Sequence, residues 1–161
     1  MIIRNAEASD AAELARIYRY YVEETAISFE LTAPDKDEME RRRKEYSSSY
    51  PYLVAEENGR VVGYTYAHPF SARAAYSRSA EITIYLDRDS KGKGYGKALY
   101  AEIEKRLRKS NVKNLYAIAM YPGLGSIEFH EKMGYRIVGK LTDCGEKFGK
   151  LWSVVYMEKM I

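Results

Sequence analysis

The sequence predicts an α/β (α+β) fold in one domain, residues 1–161, with a mixed central β-sheet flanked by helices. Three observations carry this. A chain of 161 residues is long enough for one domain with a substantial core and too short for two. Strand-like and helix-like runs succeed one another as strand, two helices, three strands, helix, strand, helix, two strands, without repeats, linkers or low-complexity tracts. Between the third strand of the central run and the next helix stand three glycines in five residues, Gly92, Gly94 and Gly96.

The elements follow in order. Ile2 to Arg4 reads as a short strand. Asp10 with Glu13 three residues on resembles a capping box, and the helix it opens, to about Thr25, carries Leu14, Ile17, Tyr18, Tyr21 and Val22 at three-to-four spacing. Pro34-Asp35 opens a second helix with Glu38 at the capping-box position, running to about Tyr46, and Ser47 to Pro51 breaks it. Residues 52–57 and 60–67 flank Asn58-Gly59, the pair a type I′ hairpin turn favours because both its central residues need positive φ. Ala80 to Leu86 adds a third strand. A helix from about Gly94 to Lys109 lines one face with Ala98, Leu99, Ile103 and Leu107. Leu115 to Met120 is a short apolar strand, Ser126 to Met133 a short helix ended by Gly134, and 135–141 and 151–157 are the last strands.

Composition narrows the function classes. No apolar run approaches the roughly 20 residues of a membrane span, and the N-terminus enters a strand without the apolar core of a secretory signal. A cytoplasmic protein without membrane association is expected. One cysteine, Cys144, makes no internal disulfide, and with two histidines there is no Cys/His zinc set, so no metal is expected. A net charge of +3 with interspersed acids does not call for nucleic acid. The basic run Arg41 to Lys44 lies among Asp35, Asp37, Glu38, Glu40 and Glu45, which reads as a solvated helix face. Sixteen tyrosines suit an aromatic substrate wall or a subunit interface, and a homodimer is expected.

The glycine-rich turn reads as a phosphate cradle. Glycine lets successive backbone N–H groups face one anion, the helix that follows adds its positive end, and Lys91, Lys93 and Lys97 deepen the potential. A dinucleotide fingerprint would need glycine at position 97, which is Lys. A P-loop would need glycine at 91 and Ser or Thr at 98, which are Lys and Ala. The remaining pattern, Lys91-Gly-Lys-Gly-Tyr-Gly96, resembles the Arg/Gln-x-x-Gly-x-Gly/Ala pyrophosphate loop of the GCN5-related N-acetyltransferases. Lys91 stands where Arg or Gln is usual, keeping the charge but not the bidentate fork. The order of elements is that family's plan too. Ser28-Phe-Glu30, Tyr64 to Ala67, Ala72 to Tyr76, Glu81 with Ile84-Tyr-Leu86, Ser126 to Tyr135 and Gly145 to Gly149 narrow the resemblance to the phosphinothricin acetyltransferase-like branch.

That resemblance implies an acetyl-CoA-dependent N-acetyltransferase acting directly in a ternary complex on a small amino acid-like amine of the phosphinothricin, methionine sulfoximine or methionine sulfone type. It makes Glu81 the general base and His130 a candidate acid for the leaving thiolate. It gives Ile84, Tyr85 and Leu86 to the pantetheine arm, Lys91, Gly92, Lys93, Gly94, Tyr95, Gly96 and Lys97 to the pyrophosphate, and Ser126 to the same donor site. Phe29, Glu30, Arg73 and Tyr76 line the acceptor mouth, where the Arg73 guanidinium could fork onto a carboxylate. Two departures stand out. Gly123 replaces an asparagine common in relatives, and Ser153 stands where relatives often carry Asp. A protein N-terminus, a lysine or a polyamine is the alternative acceptor, and a non-catalytic coenzyme A-binding or RNA-contacting module is the alternative of another class.

Overall fold

A computed structural model describes residues 1–123 and 125–161. Its strands are β1 (Ile2–Asn5), β2 (Tyr52–Glu57), β3 (Arg60–Pro69), β4 (Ser79–Leu86), β5 (Asn114–Tyr121), β6 (Arg136–Lys147) and β7 (Lys150–Met160). The helices are α1 (Ala11–Glu23), α2 (Lys36–Ser47), α3 (Tyr95–Lys109) and α4 (Ser126–Lys132). One seven-stranded mixed sheet runs in the order β1-β2-β3-β4-β5-β7-β6, antiparallel throughout except between β4 and β5.

Local chemistry explains most of these boundaries. The Asp35 side chain accepts from the Glu38 N–H at 2.9 Å and starts α2 as the capping pattern requires. Asn58 and Gly59 take φ of 53° and 75°, the left-handed pair that joins β2 to β3. The Asp10–Glu13 box does not form. Asp10 instead accepts from the Glu7 N–H at 2.7 Å, one turn earlier, because Arg4 on β1 holds its two oxygens at 2.8 and 2.9 Å. Both C-terminal strands outrun their expected ends, since Phe148 and Gly149 take φ of 56° and 68° and close a second tight hairpin. Phenylalanine is no ordinary left-handed residue, so Gly149 alone carried the turn signal.

The two faces of the sheet hold two cores. On one, α1 buries the Leu14, Ile17, Tyr18, Tyr21 and Val22 stripe against Tyr52, Val54 and Tyr64. On the other, α3 buries Leu99, Ile103 and Leu107 against Leu53, Ala67, Ile82 and Leu115. At about 1.5–3 kcal/mol per fully buried large aliphatic side chain, these stripes hold the helices to the sheet. Inside the second core the buried Glu104 carboxylate is met by Lys159 Nζ at 2.7 and 2.9 Å, which satisfies its charge. Among the described residues no helix is long and apolar enough to cross a membrane.

The parallel pair positions the site. β4 and β5 pair only from Ser79–Asn114 to Glu81–Tyr116. Beyond that register, residues 82–86 and 117–121 no longer pair with each other, and the sheet forks with Glu81 at its root.

Candidate active site

A cavity of about 390 Å³ fills the root of the fork, reached by Glu81, Thr83 and Tyr85 of β4, Met120 of β5 and the Phe29–Glu30 loop. A second, of about 280 Å³, adjoins it through the shared residues Ile27, Ile84 and Ser126 and runs to Lys91 and Gly92. The two form one groove from the carboxylate to the glycine turn.

At the far end, Gly92 and Gly94 take φ of 78° and 85°, and a Cβ built on either would meet open space. The backbone is therefore bare where a ligand can approach, and Gly94 is the N-cap residue of α3. Gly96 differs. It is buried, and a Cβ there would stand 3.0 Å from Phe129, so this third glycine is needed for packing α3 against α4. Lys91 lies over the rings of Tyr20 and Tyr21, at 5.5 and 5.3 Å, while Lys93 and Lys97 are exposed. Tyr95 is buried with its hydroxyl on Glu57, and ties the turn to β2. The Leu86 carbonyl accepts from the Tyr21 hydroxyl at 2.6 Å, which fixes the end of β4 against α1. Burial pushes that hydroxyl up to about 12.

Glu81 is half-buried at the root. Its cross-strand partner on β3 is His68, whose Nε2 stands 3.6 Å from Oε1, an ion-pair distance just beyond hydrogen-bond range. Burial draws the imidazole down, but the neighbouring carboxylate outweighs it and the net shift is upward. His68 was not among the residues singled out from the sequence. Only the β3–β4 register, across a nine-residue connection from Phe70 to Arg78, puts it opposite Glu81.

His130 lines the same cavity but is otherwise occupied. Its Nδ1 donates to the Ser126 carbonyl at 2.7 Å, and its Nε2 accepts from the buried Tyr100 hydroxyl at 2.8 Å. Burial pushes the imidazole below its ordinary value, toward the neutral form. In this arrangement Nε2 ties α4 to α3, while Nδ1 closes a bond within α4 itself. Ser126, at the start of α4, borders both cavities.

The acceptor wall is a side-chain network. The Glu30 carboxylate receives both terminal nitrogens of Arg42 at 2.7 and 2.9 Å and the Tyr18 hydroxyl, and Arg42 holds it below the usual carboxylate range. Glu30 thus faces the cavity already paired. Tyr18 also meets Ser28 Oγ at 2.7 Å, and the buried Lys147 Nζ donates to the Ser28 carbonyl at 2.7 Å. The Phe29 ring lies on Gly145, where a Cβ would come within 2.3 Å of Cε2. Tyr18, Arg42, Gly145 and Lys147 come from α1, α2 and β6, so no local pattern announces their convergence. The basic run of α2 is accordingly only partly a solvated face. Arg41 pairs with Glu38 and Glu45 outside, whereas Arg42 turns in to Glu30, and Arg43 pairs with Glu40 and donates to the Ala6 carbonyl.

Arg73 and Tyr76 do not line the cavity. Both are exposed, on the connection that joins the His68 end of β3 to the Glu81 end of β4, with the Tyr76 ring against Phe70. Arg73 has no ion-pair partner among the described residues. Cys144 is exposed on β6 and borders neither cavity. The two departures are filled locally: a Cβ on Gly123 would stand 2.9 Å from Ile127, and Ser153 Oγ accepts from the Asp143 N–H at 2.9 Å.

A sheet forked beside its one parallel pair, with a carboxylate at the root and a bare glycine turn at the mouth, is the frame of an N-acyltransferase. The acetyltransferase (GNAT) domain model matches residues 3–154, and the chain belongs to that family, in its phosphinothricin acetyltransferase-like branch. It is an N-acetyltransferase. It is 31% identical to a phosphinothricin N-acetyltransferase of Streptomyces viridochromogenes over 98% of this chain and 86% of the relative. Among solved structures, a ribosomal-protein-alanine N-acetyltransferase from Brucella melitensis superposes with a TM-score of 0.96 at 30% identity, over the whole of both chains. A phosphinothricin acetyltransferase from Sinorhizobium meliloti in complex with acetyl-CoA gives 0.94 at 33% identity, over 99% of this chain and 88% of that one.

Proposed function

We propose that the protein transfers an acetyl group from acetyl-CoA to the amine of a small amino acid-like acceptor of the phosphinothricin, methionine sulfoximine or methionine sulfone type. The observation that carries this reading is the single groove, which connects Glu81 to the Gly92–Gly94 turn through Ile84 and Ser126. Acetyl-CoA supplies a thioester-activated acetyl group. The bare turn suits its pyrophosphate, through backbone N–H groups of residues 92–97, and the stretch of β4 unpaired with β5, Ile84 to Leu86, suits its pantetheine arm. Glu81 takes the amine proton, directly or through a water, as a general base. Transfer is direct, since the exposed Cys144 stands apart from the groove and an acyl-enzyme would need an activated nucleophile in it.

A cavity of about 390 Å³ fits an acceptor of amino acid size. Phe29 and the Arg42-neutralised Glu30 form its wall, and Arg73, exposed on the connection that leads into β4, is assigned to the acceptor carboxylate together with Tyr76. The named relatives support the small acceptor. The likeness to a ribosomal-protein-alanine N-acetyltransferase supports the second reading, a protein N-terminus. We also assign the exposed apolar residues of the β6–β7 hairpin, Ile137, Val138, Leu141, Phe148 and Leu151, to a homodimer contact. Use of coenzyme A, an intracellular carrier, goes with a cytoplasmic setting.

Thiol release from acetyl-CoA, measured with a panel of acceptors, tests the reading. Phosphinothricin, methionine sulfoximine and methionine sulfone should turn over well, and their carboxamide forms poorly. Arg73→Ala should raise the KM of the free acids and leave that of acetyl-CoA unchanged, with Arg73→Lys recovering only part of the loss. Preference for an alanine-terminated peptide or a polyamine, or equal use of free and amide-blocked acceptors, would move the second reading to first place.

A further inference from the structure

Among the described residues the ion-pair partner of Glu81 is His68, and its surroundings define its protonation chemistry. Tyr64, Tyr66 and His68 alternate onto one face of β3, opposite Tyr85, Thr83 and Glu81 of β4. The imidazole stacks on Tyr46 of α2 at 5.3 Å and lies 6.0 Å from Tyr66, so it is held half-buried in one orientation. Nδ1 lies 3.1 Å from the Pro69 carbonyl oxygen, which can only accept, so Nδ1 carries a proton. Nε2 is therefore the site that titrates, and it points at the Glu81 carboxylate. The groups facing the ring are Glu81 from β4, the Tyr46 and Tyr66 phenols and the Pro69 carbonyl. Among the described residues Glu81 is the only charged one within ion-pair distance.

We propose that His68 is a positioning residue that pairs with the Glu81 carboxylate and receives the proton Glu81 removes during acetyl transfer. The inference rests on Glu81 being the base. With Nε2 protonated, the imidazolium pairs with the carboxylate and has no site left to receive a further proton. With Nε2 free, Glu81 accepts the proton of the acceptor's ammonium group, whose N–H bond breaks as the carboxyl O–H forms. That O–H then breaks as Nε2–H forms, and Glu81 returns to a carboxylate within hopping range of the next proton. Turnover therefore rises as His68 loses its Nε2 proton, and the acid limb of kcat reports His68 rather than a carboxylate.

The chain has two histidines, so an NMR titration of the imidazole C–H signals gives two curves, and the signal missing from His68→Gln assigns them. In the parent protein His68 should titrate above the ordinary histidine value of about 6.5 and His130 below it. In Glu81→Gln the His68 midpoint should drop, because the carboxylate that raises it is gone while burial, the largest influence on it, still lowers it. At saturating acceptor, the acid limb of kcat should coincide with the His68 midpoint in the parent and leave that position in His68→Gln. The surviving His130 signal reports whether that variant is folded. A His68 midpoint unmoved by Glu81→Gln, or a kcat limb unmoved by His68→Gln, overturns the proposal. Full turnover in Glu81→Gln would instead overturn the base assignment on which it stands.

Discussion

The donor end and the acceptor end of the groove are built on different principles. Around Gly92 and Gly94 the geometry is made by the main chain of one short segment, with positive φ at both glycines and open space about each. Around Glu81 it is made by side chains from α1, α2, β3, β4 and β6, each fixed by a partner distant in sequence. A backbone cradle tolerates changes of side chain and fails on changes of backbone. A side-chain wall does the reverse, and small substitutions in it alter which acceptor fits without touching the donor.

The largest effect expected from this division is at the root itself. Glu81→Gln keeps size and hydrogen bonding but cannot accept a proton, so kcat should fall by about 100-fold or more with acetyl-CoA affinity nearly unchanged. Turnover by stopped assay and donor binding by calorimetry measure the two separately. Near-parental turnover at neutral pH would show that the acceptor end supplies its base elsewhere.

The same contrast explains what could be read from the sequence. The glycine turn, the Asn58-Gly59 hairpin, the Asp35 cap and the α1 stripe are local patterns, and each stands in the fold where its residues placed it. The fork is not local. It depends on β4 and β5, strands separated by all of α3, pairing through only three register positions. Of the chain's two histidines, the family resemblance drew attention to His130, which is buried with both nitrogens bound internally. His68, unremarkable in a Tyr-Ala-His-Pro run, gains its importance from a cross-strand neighbour. Likewise the three glycines look equivalent in sequence, yet Gly96 serves helix packing while Gly92 and Gly94 face open space.

A middle-sized effect should follow from backbone change at the donor end. Gly94→Val places a β-branched residue at φ of 85°, with strain of about 1–3 kcal/mol that the turn can relieve only by moving. Acetyl-CoA affinity should weaken about tenfold or more, at ~1.4 kcal/mol per decade. Lys93→Ala, which removes one exposed charge and leaves the backbone intact, should cost much less. Equal losses, by calorimetric titration of acetyl-CoA, would mean that lysine charge rather than the main chain holds the anion, and the contrast between the two ends would collapse.

The smallest effect belongs to the acceptor wall, and it sharpens the comparison most. Gly145→Ala adds a Cβ that would lie 2.3 Å from the Phe29 ring, too close for any real contact, so the ring must shift. Phe29 is only half-buried and has room to rotate, while the loop behind it stays tied by Lys147 to the Ser28 carbonyl and by Arg42 to Glu30. The cost should therefore fall at the low end of the roughly 1–3 kcal/mol typical of overpacking. It should show as a several-fold rise in KM for the amino acid-like acceptor, with kcat and the KM of acetyl-CoA little changed. Phe29→Ala in the Gly145→Ala background should remove the clash and make the two substitutions non-additive, because the residues touch. Additive effects, or a change in donor KM as large as that in acceptor KM, would show that Phe29 belongs to the frame shared by both ends and not to the acceptor wall alone.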